Sequence, residues 1–334
     1  MELPRADRRQ GGMNRTVPLA AALIVVVLLA ACAASGQVPG PTGPASPGDS
    51  DDGGGGGDGA IEHPTGADEP ILLVESTGGF VPLEFMVTQL PSFALYGDGT
   101  VVQQGMQTLE FPGPALPALV ERRLSPEGIQ AVLAAVQDTN AFGTSRELRG
   151  AMNVVADASD TVFTVNAGGR EVIVSIYGLG TLMPDMEPPP GMPAGEMEAH
   201  ETLFALQDQL LMLDSWLPAS AWATDGWQPY QAERFRLYVR DVTGEPVEGG
   251  EMPQQVMEWP VEGDPAAFGE EQPFFGNGTR CGAVEGDDGR AWLEALSAAK
   301  QNTLWSDDGD RRFSVMPRPL LPHEETACPP LAGA

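Results

Sequence analysis

Along the chain from Pro70 onward, apolar positions recur at spacings that predict short strands and a few helices. Ile71-Leu72-Leu73-Val74 is an apolar run with the length of a strand. Phe93-Ala94-Leu95-Tyr96 and Thr100-Val101-Val102 flank Gly97-Asp98-Gly99, whose Asp-Gly pair supplies the positive φ that a hairpin turn demands. Ser125-Pro126-Glu127 opens a helix, with Ser125 as N-cap, proline in the first turn and an acid favoured by the helix dipole. Ile129, Val132, Leu133 and Val136 then form one stripe, and Gly143 is the expected end. A second strand pair runs from Thr161 to Val165, turns at Gly168-Gly169, and returns through Val172, Val174 and Ile176. A second helix is expected from Glu196 to Leu213, carried by Leu203, Leu206, Leu210 and Leu213. Hairpins followed by covering helices predict an α+β fold of antiparallel pairs, because a parallel sheet needs a crossover between successive strands.

The last third is less regular. Phe235, Leu237 and Val239 alternate with Arg234, Arg236, Tyr238 and Arg240, which reads as a half-buried strand with a basic outer face. In a strongly acidic chain, that face is expected to meet either the domain's own carboxylates or an anionic partner. Residues 243–289 are rich in Pro, Gly and Glu and read as a long loop. A helix with Trp292, Leu293 and Leu296 follows, then a strand from Arg311 to Met316. FALYGDGTVV, IQAVLAAVQDTNAF and DTVFTV are echoed in order by FRLYVRDVTG, WLEALSAAKQNTLW and RRFSV, so a duplicated unit with a sub-boundary near 218–229 is an expectation.

The amino end has a different character. Arg5, Arg8, Arg9 and Arg15 precede an apolar stretch from Val17 to Ala31, 15 residues long. A membrane-spanning helix needs about 20, whereas a signal-peptide core has this length. Leu29-Ala30-Ala31-Cys32 then resembles the lipobox of bacterial lipoproteins. The resemblance implies residues 1–31 as a cleaved signal peptide and Cys32 as the lipidated residue, holding the protein to the membrane. Met13 is an alternative start and leaves this reading unchanged. Residues 32–69 are dominated by Gly, Pro, Ser and Asp, the composition of a flexible tether, with a root-mean-square reach of about 35 Å. Its DSDDGGGGGDG run lacks the alternating ligands and closing glutamate of a calcium loop. The globular domain is expected to span 70–334.

Charge narrows the partners. Asp and Glu number 47 against 18 Lys and Arg, a formal net charge of -29, and Lys300 is the single lysine. A nucleic-acid partner is excluded, since phosphates require a basic face, and direct docking on anionic lipid headgroups is disfavoured. The abundant carboxylates read as a solvated acidic surface.

Candidate chemistry is sparse. Cys281 and Cys328 remain after lipidation; export would put them where a disulfide persists, so a structural disulfide is expected. His63, His200 and His323 lack the second histidine of a zincin helix, although His200-Glu201 and His323-Glu324 resemble its opening. No Gly-x-Ser-x-Gly elbow, phosphate-binding Gly-rich loop or dinucleotide fingerprint occurs. Trp216, Trp222 and Trp227 cluster after the second helix and read as packing, with sugar or peptide stacking as the alternative. Asn277-Gly278-Thr279 reads as a turn. No catalytic residue, metal ligand or cofactor is expected.

The stretches Phe93–Val102, Leu124–Gly143 and Arg318-Pro319-Leu320-Leu321-Pro322-His323-Glu324 also resemble uncharacterised secreted lipoprotein families of high-GC Gram-positive bacteria. That resemblance implies placement and fold and carries no activity with it. The expected protein is lipid-anchored at the extracytoplasmic face of the cell membrane, a non-catalytic domain binding an envelope or extracellular protein. The alternatives are a surface hydrolase with a dispersed carboxylate or metal site, and a solute-binding lipoprotein serving a transporter; the latter usually alternates strands and helices in two lobes.

Overall fold

The computed structural model describes residues 59–182, 186–246, 254–307 and 309–330. The signal segment, Cys32 and most of the tether lie outside the described residues. Strands and four helices combine in an α+β arrangement built on two mixed sheets.

The first sheet has eight strands. In chain order these are β1 (Pro70–Gly78), β2 (Phe93–Tyr96), β3 (Thr100–Gln104), β4 (Leu119–Arg123), β5 (Arg146–Leu148), β6 (Ser159–Ala167), β7 (Arg170–Tyr177) and β8 (Gln228–Pro229). Their spatial order is β5-β7-β6-β1-β2-β3-β4-β8, antiparallel except where β5 runs parallel to β7. Helix α1 (Leu83–Thr88) lies between β1 and β2, α2 (Pro126–Asp138) follows β4, and α3 (Glu196–Leu211) follows β7. The turn from β6 to β7 places both Gly168 and Gly169 at positive φ, 62° and 69°, as a tight hairpin turn requires.

The central strands of this sheet are buried on both faces. One face, with Leu72, Val74, Phe93, Leu95 and Phe163, packs under the leucine and valine stripes of α2 and α3. The other, with Leu73, Ala94, Tyr96 and Val102, receives Leu90 and Leu321. Helix α2 starts as its sequence predicts: the Ser125 hydroxyl accepts from the Gly128 amide at 3.2 Å. It stops at Asp138, short of Gly143, because Asn140 takes a left-handed φ of 53° and the Thr139 hydroxyl bonds back to the Val136 carbonyl.

The second sheet has β9 (Phe235–Asp241), β10 (Val256–Glu258), β11 (Glu270–Glu271), β12 (Arg280–Val284), β13 (Leu304–Ser306) and β14 (Arg312–Pro319), in the order β10-β13-β14-β9-β12-β11. Helix α4 (Gly286–Ala298) joins β12 to β13. Phe235, Leu237, Val239, Phe313 and Trp305 form its core with Trp292 and Leu296 of α4. Residues 243–289, whose composition reads as loop, therefore contain three of the six strands. Two are edge strands of two or three residues, too short to leave a period in the sequence.

Residues 60–69 lie against the first sheet despite their linker-like composition. Ile61 packs on the core, its amide donates to Gln130 Oε1 at 2.7 Å, and Gln130 Nε2 returns a bond to the Ile61 carbonyl at 3.0 Å. A Cβ on Gly97 would lie 2.6 Å from the Pro64 carbonyl oxygen, so glycine at that turn permits the segment to close on it.

Candidate functional site: a buried arginine cluster

Strand β9 is central in its sheet, and neither of its faces is open. Phe235 to Val239 are all buried, which corrects the expectation of a basic outer face. Burying a guanidinium is costly unless its donors find acceptors, and the structure supplies several of them from the chain end. After β14 the chain folds back as an arm, residues 320–330. Arg234 donates to the carbonyls of Glu324, Leu321 and Pro322 at 2.9 to 3.0 Å. Arg236 Nη2 donates to the Glu325 carbonyl at 2.8 Å. Arg240, nearer solvent, pairs with Glu245 at 2.6 Å.

Arg318 is the direct cross-strand partner of Arg236, and Met316 that of Tyr238. These residues therefore share one face of the sheet. Arg318 Nε donates to the Gln89 carbonyl at 3.0 Å, and its Nη2 pairs with Glu324 at 2.5 Å. Burial alone would raise the Glu324 pKa; Arg318 and the Leu321 amide, which donates to it at 2.7 Å, hold it below the usual carboxylate range. The Cys281–Cys328 disulfide, with a Cα–Cα distance of 6.2 Å, ties the arm to β12. Tyr96 reaches His323 Nδ1 at 2.9 Å, and burial keeps the imidazole pKa below its ordinary value. Tyr230, whose pKa burial pushes up to about 12, donates to the Leu320 carbonyl at 3.4 Å.

A cleft of about 500 Å³ opens beside this cluster, with Arg236, Arg318, Glu75, Met86, Val87 and Leu90 in its wall. Arg236 and Arg318 are each only 7% exposed. Arg236 Nε and Arg318 Nη1 are buried without a hydrogen-bond partner, and the Tyr238 hydroxyl is buried beside Arg236. Glu75 is held above the usual carboxylate range, first by burial and then by Glu324, with Arg318 opposing. Arg236 and Arg318 thus share the cleft wall with three glutamates, Glu75, Glu324 and Glu325. Burial first, and then the neighbouring Arg318, push the Arg236 pKa down, with Tyr238 and Glu324 opposing.

The remaining sequence candidates lie apart from the cleft wall. His63 bonds its neighbouring Pro64 carbonyl at 2.6 Å. His200 is buried on α3 with neither ring nitrogen hydrogen-bonded. Trp222 and Trp227 meet edge to face, Arg122 lies 3.7 Å over the Trp222 ring, and Asp214 takes bonds from both Trp227 and Arg122, a packed corner held by polar contacts. The Asn277 side chain accepts from the Thr279 amide and hydroxyl, forming a turn. Among the described residues no group of three or more His, Cys, Asp or Glu could hold a metal ion, and no helix is long and apolar enough to cross a membrane.

Sequence reasoning singled out Arg234, Arg236 and the 318–324 stretch without joining them, and it passed over Glu75, whose only signal is an acid at the end of an apolar run. Fold and cleft together define an α+β domain with a charged interior site between a central strand and a folded-back chain end. No family model matches this chain, and neither a curated protein nor a solved structure matches it.

Proposed function

We propose that this chain is a lipid-anchored extracytoplasmic binding domain, attached through Cys32 and presenting the cleft beside Arg236 and Arg318 to a ligand or protein partner of the envelope. The observation that carries the binding reading is the cleft itself, whose wall includes two buried arginines with uncommitted donors. Partly satisfied donors fixed on a central strand favour recognition of a complementary group, since their geometry is set before the ligand arrives. The Cys281–Cys328 disulfide supports export, because such bonds persist outside the reducing cytosol. Intact mass of the membrane-extracted protein and of its Cys32→Ser variant tests the anchor. Cleavage before Cys32 plus a diacylglycerol, lost in the variant, is the expected result; an uncleaved chain would overturn it.

One observation favours the alternative of a surface hydrolase. Glu75 is raised and Glu324 lowered in pKa within one cleft, and carboxyls pushed apart in this way are the pattern of an acid and its partner base. Turnover of a glycoside or ester panel, abolished by Glu75→Gln, would establish this reading over simple binding.

The domain is also read as a duplicated pair of hairpin-and-helix units. The first set of echoed segments falls on β2–β3, α2 and β6, and the second on β9, on α4 with β13, and on β14.

A further inference from the structure

We infer that the cleft beside β9 and β14 binds a carboxylate carried on a small apolar body, with Arg236, Arg318 and Tyr238 as its recognition groups. This deepens the binding reading above and rests on it only in taking the cleft as the binding site.

Three features select that chemistry. Arg236 and Arg318 stand opposite each other on one sheet face, where like charges repel unless a shared counter-charge lies between them. Glu324 pairs directly with Arg318, whereas Arg236 makes no ion pair and donates to the Glu325 carbonyl beside Tyr238. The uncommitted groups Arg236 Nε–H and Arg318 Nη1–H can only donate, and the Tyr238 hydroxyl beside Arg236 has its O–H left to donate, so the fitting guest is an acceptor-only group. A carboxylate accepts several such bonds with the strength of a charge-assisted contact to the guanidinium, whereas an ammonium accepts none.

The rest of the wall selects the body of the ligand. Met86, Val87 and Leu90 give an apolar side, and about 500 Å³ suits a small organic molecule or a chain terminus. The uncommitted donors lie just under the wall. The carboxylate reaches them by taking the place of the Glu325 carbonyl on Arg236, the contact made by an exposed residue of the arm.

The test uses the full-length protein in detergent and three probes at constant ionic strength in a bulky organic buffer: hexanoate, sodium chloride and hexanol. Hexanoate is expected to raise the melting temperature saturably, by about 5 °C or more at a hundredfold excess over its dissociation constant. Hexanol and chloride should leave it nearly unchanged. In Arg236→Met the hexanoate response should weaken by at least about tenfold in concentration, the loss of a charge-assisted contact. If that variant does not fold, Tyr238→Phe keeps the ring and removes one donor, and a several-fold weakening is expected. No saturable response to hexanoate, an equal response in the variants, or a chloride effect as large as that of hexanoate would overturn the inference. Each of these leaves the Cys32 mass measurement untouched, so failure of the ligand and failure of the anchor are read separately.

Discussion

Arg236 and Arg318 face each other directly across β9 and β14 on a buried surface, and both point their guanidinia toward the same folded-back chain end. In a protein of net charge -29, two of the three buried charged side chains among the described residues are these cations, Glu196 being the third. The arrangement ties the fold of the second sheet to the arm that follows it. Without residues 321–325, five of the acceptors on this face would be gone.

The ion pair of Arg318 with Glu324 should behave as a buried one, since the two side chains are 8% and 14% exposed. Glu324→Leu alone leaves Arg318 uncompensated and is expected to cost about 3–5 kcal/mol, whereas Arg318→Met with Glu324→Leu should recover much of that loss. Denaturant unfolding of the two variants and the parent forms the measurement. Equal destabilisation by the single and double changes would mean that the pair is not the source.

Removing the disulfide frees a loop of 47 residues. The chain-entropy relation puts the cost of Cys281→Ser with Cys328→Ser at about 4 kcal/mol. Amide exchange should quicken first in the arm, because its backbone carbonyls are the acceptors for Arg234 and Arg236. Uniform acceleration across both sheets would contradict a local role for the bond.

Glu75 supplies a pH dependence of definite sign. Its folded-state pKa is raised, so between the ordinary carboxylate range and that raised value the folded state holds the extra proton. Stability from this group is thus present below that window and falls as pH rises through it. Glu324 sharpens the effect and Arg318 moderates it. Glu75→Gln should flatten the slope of unfolding free energy against pH over the window, and an unchanged slope would count against the assignment.

His200 acts in the opposite sense. Burial lowers its pKa, with Glu196 opposing, and both ring nitrogens lack partners. The unfolded chain takes up the proton first on acidification, so stability is lost as pH falls through the ordinary histidine range. His200→Leu should reduce this acid loss and be neutral or stabilising in mild acid. Thermal melts at successive pH values would reveal it, and a variant that is less stable at every pH would show that the imidazole packs better than leucine.

Much of the framework was legible in the sequence because it obeys local rules. The Ser125-Pro126 helix start, the Gly168-Gly169 turn and the stripe Ile129, Val132, Leu133, Val136 are short-range patterns, and each appears where its spacing places it. The Cys281–Cys328 pair followed from cysteine count together with the expectation of export. Segment 60–69 was misleading, since its Gly and Pro content describes chain stiffness and says nothing of what lies beside it. The strands within 243–289 were invisible for a related reason: β10 and β11 are held by their neighbours' hydrogen bonds, not by a hydrophobic period of their own.

Residue order and composition alone set the amphipathic elements, the acidic charge and the likeness of Leu29-Ala30-Ala31-Cys32 to a lipobox. Alternation along 234–240 also fixed which arginines share a face, because side chains two apart point the same way in any strand. What that face meets was decided only by tertiary structure. Burial depends on the register of β9 against β14 and on an arm more than 80 residues away folding back over it, as the Arg234 contacts to residues 87 to 90 positions distant attest. Short-range spacing encodes the direction of a side chain; long-range contact encodes its solvent, its partners and so its chemistry.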